Sequence, residues 1–548
     1  MNWILGISVL IIILYLVNHQ LKINKLRALK KHFENNWGKP KEEQYYNFEI
    51  IDQYFRNSTH RSTAYHVLSD QTNEDLDLHD LFKYLDRTTS KVGQQYLYYK
   101  LRCVGSKDAL LKFDRLTKTM ESDSNLRLEC QLEFAKISNE YAYDFEKLIH
   151  DEIKKPSYQK FLMPLSIGYV AAFCLAFFHP IFFLFIFPIL MVNLVLHYKT
   201  KSYLSYYLSS VSQLNQTFIA AERIASNPEI QNQFPDREFL KTVRKVRSKT
   251  KYIGFEKKIA ADWAAPFWLL CELLKIQINY EAILFFKFID DIKDKRKSLD
   301  ELYQFIGEID SAISTASVKH TNKLVCTPVF TEKKELRISE MIHPLIQDCI
   351  PNDLNLYDKS ILLTGSNMSG KTTFIRAVAL SSITAQTVNI AFAKEFHIPF
   401  FKVYSSIRIT DDLSDGTSYY LKEVLTIKEL IEVAKDPNPC LFVLDEIFKG
   451  TNTIERISGG KAILSYLNKE KDVVFVSTHD IELADLLKTN DFDLHHFSEK
   501  IKNNELFFDY KLKQGKLKTR NAIKILELYD YPQQIITDAK ETEKNNFS

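Results

Sequence analysis

The chain of 548 residues contains few cysteines, and they are scattered along the sequence. Its seven cysteines include no Cys-x-x-Cys pair and no neighbouring histidine at zinc-finger spacing. The sequence therefore argues against a structural zinc site and predicts reduced, mostly packed thiols on the cytosolic side. They are Cys103, Cys130, Cys174, Cys271, Cys326, Cys349 and Cys440.

A strong net charge is also missing. The 72 basic and 69 acidic residues leave a formal charge of +3, so no global field argues for or against a nucleic-acid partner. A surface for such a partner must be local. The composition, 45% apolar and 26% charged, is ordinary for a folded protein, and the chain is long enough for several domains.

The N-terminus lacks the marks of a cleaved signal peptide. Residues 3–17 are uncharged and nearly all apolar, but no basic segment precedes them and no small-residue cleavage site follows. Basic residues come after this run, beginning with Lys22 and Lys25. This predicts an uncleaved transmembrane anchor within residues 1–20, with the rest of the chain returning to the cytoplasm.

A second stretch without charge covers residues 161–198. Two apolar runs are split there by His179 and Pro180, and lysines flank the stretch on both sides. The pattern predicts a transmembrane hairpin with both flanks in the cytoplasm, and hence a multi-pass protein in the inner or plasma membrane. A buried hairpin of a soluble helical domain is the alternative, because Pro164 and Pro188 interrupt the runs.

Helical spacing dominates the chain before about residue 327, and strands alternate with helices afterwards. We expect a short linker at 21–77, an all-α domain at 78–327 that the hairpin interrupts, and an α/β domain with a mostly parallel sheet at 328–548.

One helical stretch, residues 237–258, is strongly basic. Its charges predict contacts with DNA phosphates, for which the candidates are Arg244, Lys245, Arg247 and Lys249. A solvated helix face and a contact with anionic lipid headgroups are the alternatives.

Residues 361–379 join an apolar strand to a helix through a glycine-bracketed loop. Gly365 and Gly370 enclose four residues and precede Lys371 and Thr372, a full match to G-x-x-x-x-G-K-[ST]. Successive backbone N–H groups at a helix N-terminus suit the phosphates of a nucleotide. The predicted contacts with ATP are Gly365, Ser366, Asn367, Met368, Ser369, Gly370, Lys371, Thr372 and Thr373.

Two further apolar strands end in residues suited to hydrolysis. Residues 440–444 lead into Asp445 and Glu446, and residues 473–476 lead to His479. We expect Asp445 to bind Mg²⁺ together with Thr372, and Glu446 to polarise the attacking water. His479 is expected at the γ-phosphate, and Lys371 completes the predicted catalytic set.

This combination of motifs resembles the MutS family of mismatch-repair proteins, a branch of the ABC-type ATPases. The resemblance implies a homodimer in which Ser418 reaches the γ-phosphate bound by the opposite subunit, and it implies DNA as a partner. The matching segments are 343–344, 352–353, 364–373, 385–386, 416–423, 445–453 and 477–479.

The chain also departs from neighbouring families. Ser458-Gly459-Gly460 resembles part of an ABC transporter signature but follows the acidic strand, which argues against a transporter. We expect no mismatch-reading domain, since the region before residue 78 is short. Two functions remain: an ATPase that binds DNA in mismatch repair or recombination, and an ATP-driven membrane switch that acts on a protein partner.

Overall fold

The computed structural model describes residues 2–42, 45–250, 277–366, 368–408, 419–448, 450–489, 491–502, 505–517 and 522–547. Within these ranges the chain divides into two compact units. The first is built from parts of 1–62, 86–100 and 112–318, and the second from parts of 63–85, 101–111 and 319–548.

Helices dominate the N-terminal part of the chain and alternate with strands later, as the sequence predicts. In chain order the described helices are α1 (Asn2–Asn36), α2 (Phe48–Ile51), α3 (Gln53–Asn57), α4 (Asp70–Asp75), α5 (Leu78–Leu85), α6 (Lys91–Arg102), α7 (Lys107–Ser122), α8 (Ser124–Phe134), α9 (Phe145–His150), α10 (Gln159–Ala176), α11 (Phe183–Ile224), α12 (Pro228–Gln233), α13 (Glu238–Thr250), α14 (Tyr280–Lys293), α15 (Arg296–Thr321), α16 (Lys371–Thr387), α17 (Tyr419–Val433), α18 (Thr453–Leu467), α19 (Ile481–Leu487), α20 (Ala522–Leu528) and α21 (Gln533–Phe547).

Strands concentrate in the second unit. They are β1 (His66–Val67), β2 (Cys103–Val104), β3 (Val329–Thr331), β4 (Glu335–Met341), β5 (Asn352–Tyr357), β6 (Ser360–Thr364), β7 (Glu395–Pro399), β8 (Lys402–Ser406), β9 (Cys440–Asp445), β10 (Val473–Ser477), β11 (Phe492–His496), β12 (Glu499–Lys502), β13 (Glu505–Phe508) and β14 (Lys513–Gln514).

The first unit is helical, and α15 runs through its interior. At Gly93 on α6 an added Cβ would collide with the carboxylate of Asp310 on α15, so only glycine permits this approach. The same carboxylate accepts hydrogen bonds from the backbone N–H groups of Thr89 and Ser90. A buried acid that satisfies the orphan N–H groups before a helix holds α6 against α15.

The predicted hairpin is a pair of helices, α10 and α11, of which α11 continues to Ile224. Two stretches, Gln159–Ala176 and Pro180–Lys201, are long and apolar enough to cross a membrane by length and composition. In the most apolar part of each stretch only 22% and 11% of the residues, respectively, are buried in the structure. Phe178 and Leu184 are 86% and 72% exposed, whereas large apolar side chains in the interior of a soluble domain are buried.

The N-terminal anchor remains a prediction. The side chains of residues 1–5 and 7–11 lie outside the described part, although the backbone of α1 is continuous from Asn2 to Asn36. The apolar side chains from Ile12 to Val17 are all at least half exposed. A helix that leaves these groups uncovered within its own unit is compatible with an anchor.

A six-stranded sheet forms the centre of the second unit, in the order β14-β11-β6-β10-β9-β8. Its five strands from β11 to β8 are parallel, and β14 is antiparallel at the edge. β6, β9 and β10 are buried almost throughout, as expected for strands covered on both faces. A four-stranded sheet of order β3-β7-β4-β5 lies in the same unit.

The second unit also contains two segments from far upstream. β1 pairs with β2, the Tyr65 hydroxyl donates to the backbone oxygen of Phe400, and His66 Nε2 lies 2.9 Å from the oxygen of Val403. Residues 63–85 and 101–111 therefore join this unit, whereas we predicted a linker to residue 77 and a helical domain after it. Helical periodicity contains no information about such long-range hydrogen bonds.

Candidate nucleotide-binding site

Three neighbouring parallel strands bring the predicted site residues to one edge of the central sheet. Ser477 on β10 is in register with Leu363 on β6 and with Asp445 on β9. Because all three strands run in the same direction, their carboxyl ends meet. The glycine-bracketed loop, the acidic pair and the segment up to His479 follow these ends directly.

The loop after β6 adopts a backbone that requires its two glycines. Gly365 and Gly370 have φ of +148° and +107°, values that other residues rarely adopt. At Gly365 a Cβ would also lie 2.6 Å from the backbone oxygen of Phe497. Gly370 is the N-cap of α16, so the helix N-terminus faces the loop.

The residues inside the loop differ in exposure. Ser369 is buried and its hydroxyl donates to the backbone oxygen of Ser366, whereas Met368 is 81% exposed. Asn367 lies outside the described residues. Thr373, also predicted to contact nucleotide, lines the adjoining cleft.

Lys371 folds back over the loop. Its Nζ donates to the backbone oxygens of Gly365 and Ser366 at 2.7 and 2.9 Å, and its side chain is buried. The ammonium group therefore lies within the ring of the loop backbone. Phosphate oxygens bound there would be in reach of the same three donor hydrogens.

Thr372 and Asp445 form a pair of oxygen donors suited to a hard cation. The Thr372 hydroxyl donates to Asp445 Oδ2 at 2.9 Å, and Ser477 donates to Asp445 Oδ1. Among the described residues no group of three His, Cys, Asp or Glu side chains could hold a metal by itself. This donor set fits Mg²⁺, which is usually bound through one or two protein ligands, waters and substrate phosphates.

Glu446 and His479 face each other at the open side of the site. His479 Nε2 lies 2.9 Å from Glu446 Oε1, and both side chains are partly exposed. Glu446 has φ of +58°, and its N–H donates to the Ser477 oxygen at 2.9 Å. A left-handed glutamate costs about 1 kcal/mol and is typical of functional positions. The turn after His479 is held by Asp480, which accepts two bonds of 2.8 Å from Arg456.

A cleft of about 630 Å³ adjoins the loop. Its walls combine polar groups, such as Lys371 and Thr372, with apolar side chains, among them Ile346, Phe374 and Tyr510. This volume and this mixture of surfaces suit a nucleotide-sized ligand. His343 lines the cleft, and burial together with the nearby Arg376 lowers the pKa of His343 to about 4, so its imidazole is neutral at physiological pH.

Several residues at the site lie outside the motifs that can be recognised in the sequence. Glu499, which is buried, accepts a hydrogen bond of 2.5 Å from the Ser366 hydroxyl. Phe497 and Tyr510 close the cleft from the segments around β12 and β13. Only their position after the last parallel strand could have pointed to them.

Two other groups of predicted residues lie away from this geometry. Ser418 falls outside the described residues. The four predicted DNA contacts are on α13, where Arg244 and Arg247 both pair with Glu222 of α11, while Lys245 is exposed and the side chain of Lys249 is not described. The basic charge of this helix is thus partly neutralised within its own unit.

Residues 361–546 match the family model of MutS domain V. The chain is 30% identical over 296 residues to the DNA mismatch repair protein MutS of Listeria welshimeri, which is 52% of this chain and 34% of that protein. It is 32% identical over 278 residues to the MutS of Halalkalibacterium halodurans, 49% of this chain and 31% of that protein.

A third relative is the MutS of Staphylococcus aureus, 28% identical over 277 residues, 48% of this chain and 31% of that protein. The chain thus spans about a third of the length of the relatives it matches. The family match begins at β6 and covers the loop, the acidic pair and His479. Residues 361–546 of the chain therefore carry a MutS domain V, the family that the motifs resemble.

Proposed function

We propose that this protein is a Mg²⁺-dependent ATPase whose second unit has the P-loop fold of the ABC-type ATPases. The observation that carries the proposal is the convergence of three strand ends, at which Thr372 contacts Asp445 and Glu446 contacts His479. The match of residues 361–546 to MutS domain V supports ATP as the nucleotide.

The proposed roles follow from the positions of these groups. The backbone N–H groups of the loop and Lys371 bind the β- and γ-phosphates. Thr372 and Asp445 hold Mg²⁺, which neutralises charge on the phosphates when it is bound. Glu446 accepts the proton of the attacking water, and His479 holds the Glu446 carboxylate in place and contacts the γ-phosphate.

We further propose a homodimer formed by the ATPase units. Support comes from the motif around Ser418, which resembles the segment that reaches the opposite subunit's nucleotide in MutS-like dimers. Lys371, Thr372 and Glu446 supply the phosphate, metal and water contacts from one chain, and Ser418 would complete the γ-phosphate site of its partner.

DNA is the target we favour, in a role related to mismatch repair or recombination. The names of the relatives support it, since each is a DNA mismatch repair protein. The exposed apolar surface of α10 and α11 supports a second feature, anchoring in a lipid bilayer with the ATPase unit in the cytoplasm. That surface also favours the second candidate function, an ATP-driven membrane switch for a protein partner.

One experiment separates these functions. The ATPase rate of the full-length protein in lipid nanodiscs is measured with and without homoduplex, mismatched and branched DNA, at two salt concentrations. A salt-sensitive stimulation by any DNA supports the first function. A basal rate indifferent to all of them supports the membrane switch, and the absence of Mg²⁺-dependent hydrolysis refutes the proposed ATPase.

A further inference from the structure

The segment from α4 to Asp77 lies far upstream of the nucleotide motifs, yet it is bonded to the end of β8. The buried carboxylate of Asp75 accepts a hydrogen bond of 2.7 Å from the Ser405 hydroxyl. It also accepts bonds of 3.1 and 2.8 Å from the backbone N–H groups of Ile407 and Arg408. These three bonds fix the backbone where the chain leaves the central sheet.

Asp77 joins two arginines from different elements. Its carboxylate accepts bonds of 2.6 and 2.9 Å from the two terminal nitrogens of Arg408. The same carboxylate accepts a bond of 3.0 Å from Nη1 of Arg376, on α16. Asp77 has φ of +52°, a left-handed turn that brings its carboxylate to both guanidinium groups. One acid thus bridges two cations that would otherwise repel each other, and its charge offsets one of the two.

Arg376 connects this cluster with the nucleotide site. It follows Thr372 by four residues on α16, so the two side chains lie on the same face of the helix. The guanidinium is mostly buried, with 16% of its side chain exposed. Burial and the positive charge of Arg408 lower the pKa of Arg376, while the negative charges of Asp77, Asp75 and Asp445 act in the opposite direction, so Arg376 lies within the field of the metal-binding acid.

The positive charge of Arg376 affects metal binding at Asp445. A positive charge close enough to interact with Asp445 opposes the binding of a divalent cation at that carboxylate, and partial burial leaves this charge poorly screened. The carboxylate of Asp77, bonded directly to Arg376, offsets that charge. Asp75 and Asp77 together balance the charges of Arg408 and Arg376, whereas loss of Asp77 would leave one positive charge uncompensated near the metal site.

We propose that Asp77 is a positioning residue for Mg²⁺–ATP: it holds Arg376, offsets positive charge near Asp445, and so maintains the affinity of the site for the metal–nucleotide complex. This inference rests on the proposed ATPase function. It assigns a role in the nucleotide site to a segment that is separated from the phosphate-binding loop by almost 290 residues of sequence.

The test measures binding as well as turnover in the full-length protein. Binding of a fluorescent ATP analogue is titrated with Mg²⁺, and the half-saturating Mg²⁺ concentration is compared between wild type and Asp77→Asn. Loss of the negative charge of Asp77 is expected to raise that concentration roughly threefold to tenfold. The matched control is Asp80→Asn, because among the described residues the Asp80 carboxylate forms an ion pair with Lys83, in a half-exposed contact on α5.

A double substitution distinguishes charge compensation from general loosening of the structure. In Asp77→Asn/Arg376→Gln the uncompensated cation is gone, so the half-saturating Mg²⁺ concentration should return toward the wild-type value. If the two substitutions instead add, or if Asp77→Asn matches the Asp80→Asn control, the inference is wrong and the ATPase proposal stands. Wild-type protein that binds no analogue with Mg²⁺ would refute both.

Discussion

The Thr372 hydroxyl donates a hydrogen bond of 2.9 Å to a carboxylate oxygen of Asp445, across 73 residues of sequence. The bond joins the first turn of α16 to the end of β9, so the phosphate-binding loop and the acidic pair form one site. An Mg²⁺ ion would take the same two oxygens as ligands. The expected effects of substitution at this site follow from that arrangement.

Lys371→Ala is expected to weaken ATP binding. Charge-assisted hydrogen bonds contribute about 1.5–3 kcal/mol each, so the dissociation constant should rise roughly tenfold to a hundredfold. Equilibrium binding of radiolabelled ATP measures this. Lys359→Ala is the control, since Lys359 is an exposed lysine in the turn before β6. Equal losses in both variants would contradict the role of Lys371.

Glu446→Gln is expected to keep ATP binding and to reduce turnover by about a hundredfold or more, because the amide retains the shape of the side chain but cannot accept the proton of water. Single-turnover hydrolysis measures the chemical step. Glu470→Gln, an exposed position, serves as the control. Normal turnover by purified Glu446→Gln protein would remove that residue from its proposed role.

Charge reversal on α13 tests the DNA contacts. Lys241 and Lys245 are the exposed choices, because Arg244 and Arg247 pair with Glu222. If this face contacts phosphates, Lys241→Glu/Lys245→Glu should weaken DNA binding and reduce the salt slope by about 2. Lys112→Glu/Lys359→Glu changes the net charge equally at other exposed positions. Equal affinities for the two double variants would remove α13 from the DNA contacts.

Charges on the exposed face of α11 test the membrane proposal. Leu184 and Phe187 are 72% and 64% exposed. A charged residue costs about 2.5–3.5 kcal/mol at the centre of a bilayer and less toward its surface, so two lysines in the first turns of the stretch, Leu184→Lys/Phe187→Lys, should reduce the fraction of protein that floats with vesicles. Leu111→Lys, an exposed position on α7, should leave flotation unchanged. Flotation of the double variant at the wild-type level would argue against a spanning hairpin.

Stability of the second unit should fall in acid because of His66. Burial lowers the pKa of this imidazole to about 4 from 6.5, so the unfolded chain binds the proton first as pH falls below 6.5. Stability from this group is complete above pH 6.5 and declines as pH falls toward 4, by about 2 kcal/mol at pH 5. Thermal midpoints at pH 7.5 and 5.0 should differ less in His66→Gln than in wild type. An equal difference in both proteins would show that another group governs the acid response.

The nucleotide site was the most predictable part of this protein. A glycine-bracketed loop, an acidic pair and a histidine each follow a short apolar strand, and parallel strands of one sheet bring such ends together. The motifs therefore predicted that these strand ends lie together, and in the structure Thr372 contacts Asp445 and Glu446 contacts His479. The roles of these residues toward ATP and Mg²⁺ stay predictions.

The division of the chain was much less predictable. Residues 63–85 read as linker and helix, yet they join the second unit through β1 and through the hydrogen bonds of Asp75 and Asp77. In the sequence, Asp75 and Asp77 look like aspartates of an ordinary solvated turn, so their long-range hydrogen bonds could not be recognised. The partial neutralisation of α13 was equally hard to predict, because Glu222 is 22 residues away from Arg244 and belongs to another helix.

Local chemistry was thus determined by the sequence itself. The loop glycines, Lys371 and Thr372 act through backbone geometry that a few consecutive residues specify, and apolar runs of membrane length are visible in composition alone. The tertiary structure alone decided which distant groups compensate one another: Asp77 with Arg376, Glu499 with Ser366, and Glu222 with Arg244. Such pairs depend on the packing of remote elements. For Glu499 and Arg376, which are largely buried, the cost of leaving a charge without a partner keeps the pair together once that packing exists.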